Sequence, residues 1–151
     1  MSEGNSTDFA QIITWLIVIG GWWIVNHQQD RRETRKEIRA RLNEVRSRLE
    51  LLENKSHVYH TSEHDQATAR EIKLHLTRLW FEAELLCLAK ENLLSQSLTR
   101  LRRSITLNNF ESKTHKPLPD DDQLIATISA AVVDLESLLE KGYSTHYLPK
   151  R

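Results

Sequence analysis

Three histidines within eight residues, His57, His60 and His64, are the side chains of this sequence best suited to chemistry. They are spaced three and four apart, so an unbroken helix would carry all three imidazoles on one face. Neutral imidazoles bind divalent metals such as zinc, and Glu71, seven residues beyond His64, could complete a set of ligands. The same rings titrate near neutral pH and would also suit a pH-responsive element. The surrounding stretch NKSHVYHTSEHD is polar, however, and reads as a connection between helices, which would scatter the rings. No HExxH motif or paired cysteine supports a metal. No metal and no cofactor is therefore expected, with His57, His60 and His64 as weak candidate ligands.

Other chemistry finds less. The single Cys87 sits in ELLCLAKE, an apolar helical stretch, where a thiol packs as a small hydrophobe. There is no glycine-rich phosphate loop, no GxSxG elbow and no Cys/His pair. The apolar positions are accounted for by helix packing, so no pocket is expected. The chain is not expected to be an enzyme, and no small-molecule substrate is expected. Arg100, Arg102 and Arg103 form a basic group without interleaved aromatics, so no nucleic acid is expected either.

The elements that position these residues are helices. Only 4 Gly and 3 Pro occur, and none lies between Gly21 and Pro117. The intervening section is rich in Leu, Glu, Arg, Lys and Ala, which are strong helix formers. Ahead of it and into its start runs an apolar stretch, ITWLIVIGGWWIV, within 17 uncharged residues from Phe9 to Val25. At ~1.5 Å rise per residue this is the short end of a bilayer span. Trp15, Gly20, Gly21, Trp22 and Trp23 are its landmarks, with Trp22 and Trp23 at the downstream edge, where amphipathic rings favour headgroups. Ala10, Thr14 and Gly21 share a narrow stripe of small residues that would allow close helix contact in lipid. Arg31, Arg32, Arg35, Lys36 and Arg39 follow. They would set topology and could touch anionic lipid, at about 1 kcal/mol per well-placed base. Asp30, Glu33 and Glu37 dilute that patch. Residues 1–8 hold only acids, which argues against a cleaved signal peptide. The expected arrangement is an outer tail over 1–8, a transmembrane helix over 9–26 and a cytoplasmic part from 27 on, at the inner (plasma) membrane.

Beyond the membrane, Ile38, Leu42, Val45, Leu49 and Leu52 repeat at 4-3-4-3 spacing, a short helix-packing seam. Ile72, Leu76, Leu79, Ala83 and Leu86 do the same, and Leu94, Leu98, Leu101 and Ile105 resume it after a phase drift near Lys90. Leu74, Leu85, Leu88 and Leu93 widen this arc, which suggests more than one partner helix. Trp80-Phe81 reads as core, or as the edge of a partner site. Pro117 and Pro119 interrupt helix in NNFESKTHKPLPDDD, and Asp120, Asp121 and Asp122 suit the next helix start. Gly142 reads as a helix stop, with a flexible tail over 143–151.

The expected fold is thus all-α: a single transmembrane helix continuous with a long cytoplasmic helix, in an antiparallel bundle of about three long helices. Those helices are placed at 27–54, 62–107 and 120–141, within a bundle over 27–142. A break near Lys90 to Ser95, giving four segments, is the competing arrangement. The expected role is a single-pass scaffold or adaptor, associating with itself or a protein partner at the cytoplasmic face of the membrane. A small membrane-acting effector, such as a toxin or defence component, is the alternative. A His-based metal or pH sensor comes third.

Overall fold

A computed structural model describes the backbone from Gly4 to Leu148 and, among side chains, Trp15 and residues 32–148. Four helices make up the described chain: α1 (Gly4–Thr61), α2 (Gln66–Leu85), α3 (Glu91–Thr106) and α4 (Gln123–Tyr147). The chain divides into Met1–Ile38 and Arg39–Arg151. In the first unit the backbone is helical from Gly4 and Trp15 is exposed. Among the described residues no helix is long and apolar enough to cross a membrane. The anchor expected over 9–26 falls, Trp15 apart, on side chains outside the described residues.

The second unit is a bundle built on matched apolar stripes. On α1, Leu42, Val45, Leu49, Leu52 and Tyr59 are buried, and α2 buries Ala69, Ile72, Leu76, Leu79 and Ala83. Leu94, Leu98, Leu101 and Ile105 do the same on α3, and Ile128, Ala131, Val132, Leu135, Leu139 and Tyr143 on α4. The recurring 3-and-4 spacing keeps each stripe on one helix face and suits the shallow crossings of a four-helix bundle. Each fully buried leucine contributes about 2 kcal/mol of transfer free energy, so the stripes outweigh helix propensity in holding the bundle.

Ion pairs record the helix directions. Lys55 Nζ bonds Glu71 Oε2 at 2.6 Å, and Arg48 Nε bonds Glu82 Oε2 at 2.6 Å, so α1 and α2 are antiparallel. Arg39 Nη1 reaches both carboxylate oxygens of Glu140 at 2.7 and 2.9 Å, while His57 lies 3.2 Å from Asp120. That makes α4 antiparallel to α1 as well. Arg100 pairs with Asp134 between α3 and α4. The order is up-down-up-down.

Three expectations about the helices are corrected. There are four helices, because the segment expected to run unbroken over 62–107 reverses at residues 86–90, with Cys87 in the left-handed region at φ 51°. A continuous helix would have left the stripe of Leu94, Leu98, Leu101 and Ile105 without α2 to pack on. The first helix runs to Thr61, beyond the expected end at Asn54. Asp65 is the N-cap of α2, accepting from Ala67 N and Thr68 N at 3.1 and 3.0 Å.

Gly142 is the third. It stops nothing: α4 passes through it to Tyr147. A Cβ there would collide with the backbone carbonyl of Leu88 in the α2–α3 reversal. Glycine is required for close approach of two backbones. The residues from Tyr143 to Tyr147, expected in a loose tail, are helical. Tyr143 is buried, stacks on Tyr147 at 5.4 Å and receives Arg39 over its ring at 5.1 Å.

Candidate functional site

Helix α2 carries two seams. The inner one, Ile72, Leu76, Leu79 and Ala83, faces the core. The outer one, Leu74, Arg78, Phe81 and Leu85, has 4-3-4 spacing on the opposite side of the helix. Leu74, Phe81 and Leu85 are 49%, 61% and 70% exposed. Single exposed leucines are ordinary, but here three large apolar residues align in one solvent-facing row. Arg78 stands among them and forms no ion pair among the described residues. The pairs Lys55–Glu71 and Arg48–Glu82 hold α2 on α1 and so fix the direction in which this stripe points.

Beside the stripe, α2 and α3 part to leave a cavity of about 350 Å³. Leu76, Leu79, Leu98, Leu101 and Phe110 are its buried apolar residues. Trp80 and Phe81 line it from α2, so the adjacent rings are divided between a half-buried wall and an exposed rim. Trp80 Nε1 donates to Glu84 Oε1 at 2.6 Å. Charge gathers at Lys73, Arg102 and Glu111, where Lys73 Nζ bonds both Glu111 oxygens at 2.8 and 3.0 Å. The apolar spacing predicts no pocket, because every leucine there belongs to a packing stripe. Leu74, Phe81 and Leu85 do not stand out as one seam in the sequence, since Arg78 interrupts the apolar pattern. The 4-3-4 spacing was the available signal.

The histidines meet different partners. His60 is buried and its Nε2 lies 3.0 Å from Ile105 O, leaving Nδ1 buried without a hydrogen-bond partner. His64 Nδ1 accepts from Tyr59 Oη at 2.8 Å when the phenol is the donor, and His57 faces Asp120. Glu71 is engaged by Lys55, whose hydrogen bond and charge hold its carboxyl below the usual range. Among the described residues, no group of three or more His, Cys, Asp or Glu is placed to hold a metal.

What the histidines build is a polar closure. Tyr59 Oη also accepts from Glu111 N at 3.0 Å. His115 Nδ1 lies 2.8 Å from Asn109 O and Nε2 lies 2.9 Å from Ser62 O, so only a ring carrying both N–H groups donates to both carbonyls. Leu118 N donates to His60 O at 2.8 Å. Burial pushes the His60 imidazole below its ordinary value. The Ile105 carbonyl opposes this, the His115 charge adds to it and Asp122 opposes it weakly. His75, on the α1 side of α2, is lowered first by burial and then by the charges of Lys55 and Arg48.

The remaining sequence candidates divide. Leu42, Val45, Leu49 and Leu52 of the α1 seam are buried, while Ile38 is half-buried and belongs to the first unit. Arg32, Arg35 and Lys36 are exposed, and Arg39 is turned onto Glu140 and Tyr143. Of Gly20, Gly21, Trp22, Trp23 and Arg31 only the helical backbone is described. Cys87, expected in the core, is exposed at the reversal. Comparison with known proteins finds no family model, no curated protein and no solved structure that matches the chain.

Proposed function

We propose that the chain is a single-pass scaffold or adaptor whose helical bundle, at the cytoplasmic face of the inner membrane, recruits a protein partner through the outer seam of α2. The observation that carries this reading is the exposed row Leu74, Phe81 and Leu85, aligned on one face of a helix whose other face is buried in the bundle. A partner helix laid on this row would bury its own apolar stripe and set a carboxylate opposite Arg78. Two copies in parallel register would set Arg78 against Arg78, so the partner is taken to be another protein. The anchor in this reading is the uncharged run over 9–26, bounded by Trp22 and Trp23 and followed by Arg31, Arg32, Arg35 and Lys36.

In-cell photocrosslinking on the full chain tests it. A photoreactive residue at Phe81 is expected to give a discrete adduct with another protein, lost when Leu85→Glu is added. Val133, equally solvent-facing on α4 at 57% exposed, serves as the control position. Labelling at 81 no stronger than at 133 would sink the reading.

A further inference from the structure

We infer that the α2–α3 cavity is a binding site for a single-chain amphiphile with a carboxylate head, of the fatty-acid class. It shares only the exposed rim residue Phe81 with the outer seam and does not depend on the protein partner proposed above. The cavity is at the small end of ligand-sized sites, which run from ~300 to ~1,000 Å³. Its buried wall is apolar, formed by Leu76, Leu79, Leu98, Leu101 and Phe110, while Lys73, Thr77, Arg102, Thr106 and Glu111 give it an amphipathic lining. Its charged groups are not spread evenly. Because α2 and α3 are antiparallel, Lys73 near the start of α2 lies at the same end as Thr106 and Glu111, while Trp80 and Leu98 lie at the opposite end. The charged side chains therefore gather toward the end that holds Phe110, and Trp80 and Phe81 line the other.

The charge count gives the sign of the head group. Glu111 already neutralises Lys73. Arg102 lines the same cavity, is exposed and has no ion pair among the described residues. One uncompensated guanidinium remains, and it presents a fork of N–H donors suited to a carboxylate. The hydroxyls of Thr77 and Thr106 donate to carbonyls of their own helices, Lys73 O at 3.0 Å and Arg102 O at 2.8 Å. They add no competing donor, so recognition of the head falls to Arg102. A neutral chain of the same length would satisfy the leucines and leave the guanidinium unmet.

The test uses the full chain in nanodiscs of zwitterionic phosphatidylcholine with diazirine-tagged lauric acid, diazirine-tagged lauryl alcohol and a diazirine-tagged lysophosphatidic acid. Labelled sites are mapped by mass spectrometry. Laurate is expected to label the α2 and α3 segments lining the cavity, with labelling about tenfold weaker for Arg102→Gln and largely retained for Arg102→Lys, as expected for loss of one charge-assisted bond. Leu98→Trp, which fills the cavity, should abolish it while circular dichroism stays unchanged. The alcohol labelling these segments as strongly as laurate overturns the proposal, as does laurate labelling that Arg102→Gln leaves intact. Preferential labelling by lysophosphatidic acid over laurate overturns the assignment to a free carboxylate.

Discussion

At the α2–α3 reversal the bundle is closed by backbone on backbone: the Leu88 carbonyl rests where a side chain at residue 142 would be, and Leu86 and Leu88 are buried beside it. At the opposite end, the loop over 107–122 crosses the α1–α2 turn and closure is by hydrogen bonds. Tyr59, His64, His115 and the carbonyls of His60, Ser62 and Asn109 make them. One end is specified by volume and the other by donors and acceptors. A close-packed contact is broken by a methyl group and is indifferent to protons. A polar closure tolerates small volume changes but depends on every partner being present and in the right protonation state.

The largest effect should come from adding one methyl group to the first end. Gly142→Ala improves helix propensity by about 1 kcal/mol. The collision with the Leu88 backbone outweighs this, because neither backbone can move without shifting α4 or the reversal. A net loss of about 2 kcal/mol is expected, read as a lower denaturant midpoint at constant slope. An unchanged or raised midpoint would mean that the end is not closed by volume.

Removing one oxygen from the second end should come next. Tyr59→Phe keeps the buried ring and its packing on Phe110, 4.9 Å between centroids. It deletes the acceptor for Glu111 N and the partner of His64. Glu111 holds a left-handed backbone at φ 47°, an uncommon conformation that this bond helps to keep. A loss of about 1–2 kcal/mol is expected. Faster amide exchange in 108–118, with α4 unaffected near Gly142, would locate the damage. A global loss with no local exchange change would break the distinction between the two ends.

The same contrast explains what was legible beforehand. The helical class, the seam from Leu42 to Leu52 and the loop around Pro117 and Pro119 follow from local spacing and backbone chemistry, which a sequence displays directly. The reversal at 86–90 has no Gly or Pro to announce it. Its trace was the phase drift near Lys90, and its cause is the need of α3 to pack back on α2. Gly142 looked like a stop because its real partner, Leu88, is 54 positions away in the chain. Tyr59 and His115 were equally opaque, since their partners come from distant loops. The outer seam of α2 was obscured by Arg78, and the cavity beside it arises where packing stripes fail to meet completely, which spacing does not reveal.

The smallest effect is a slope with pH. His60 is lowered by burial, so the unfolded chain takes up a proton on this residue at a higher pH than the folded chain. Its contribution to stability is fully present above the unfolded value near 6.5. It declines as pH falls below that value and on through the lowered folded one. One proton limits the slope to ~1.4 kcal/mol per pH unit. His75 is lowered in the same direction but is more exposed, so its part is smaller. His60→Gln keeps an N–H donor for Ile105 O and removes the titration. Between pH 7 and 5 the wild type should therefore lose stability relative to this variant, measured as the difference of their urea midpoints. Parallel curves would show that His60 is not the group through which acid opens the polar end. Gly142→Ala, tested beside it, should lose the same stability relative to the wild type at both pH values, because the backbone of Leu88 that it strikes carries no ionisable group.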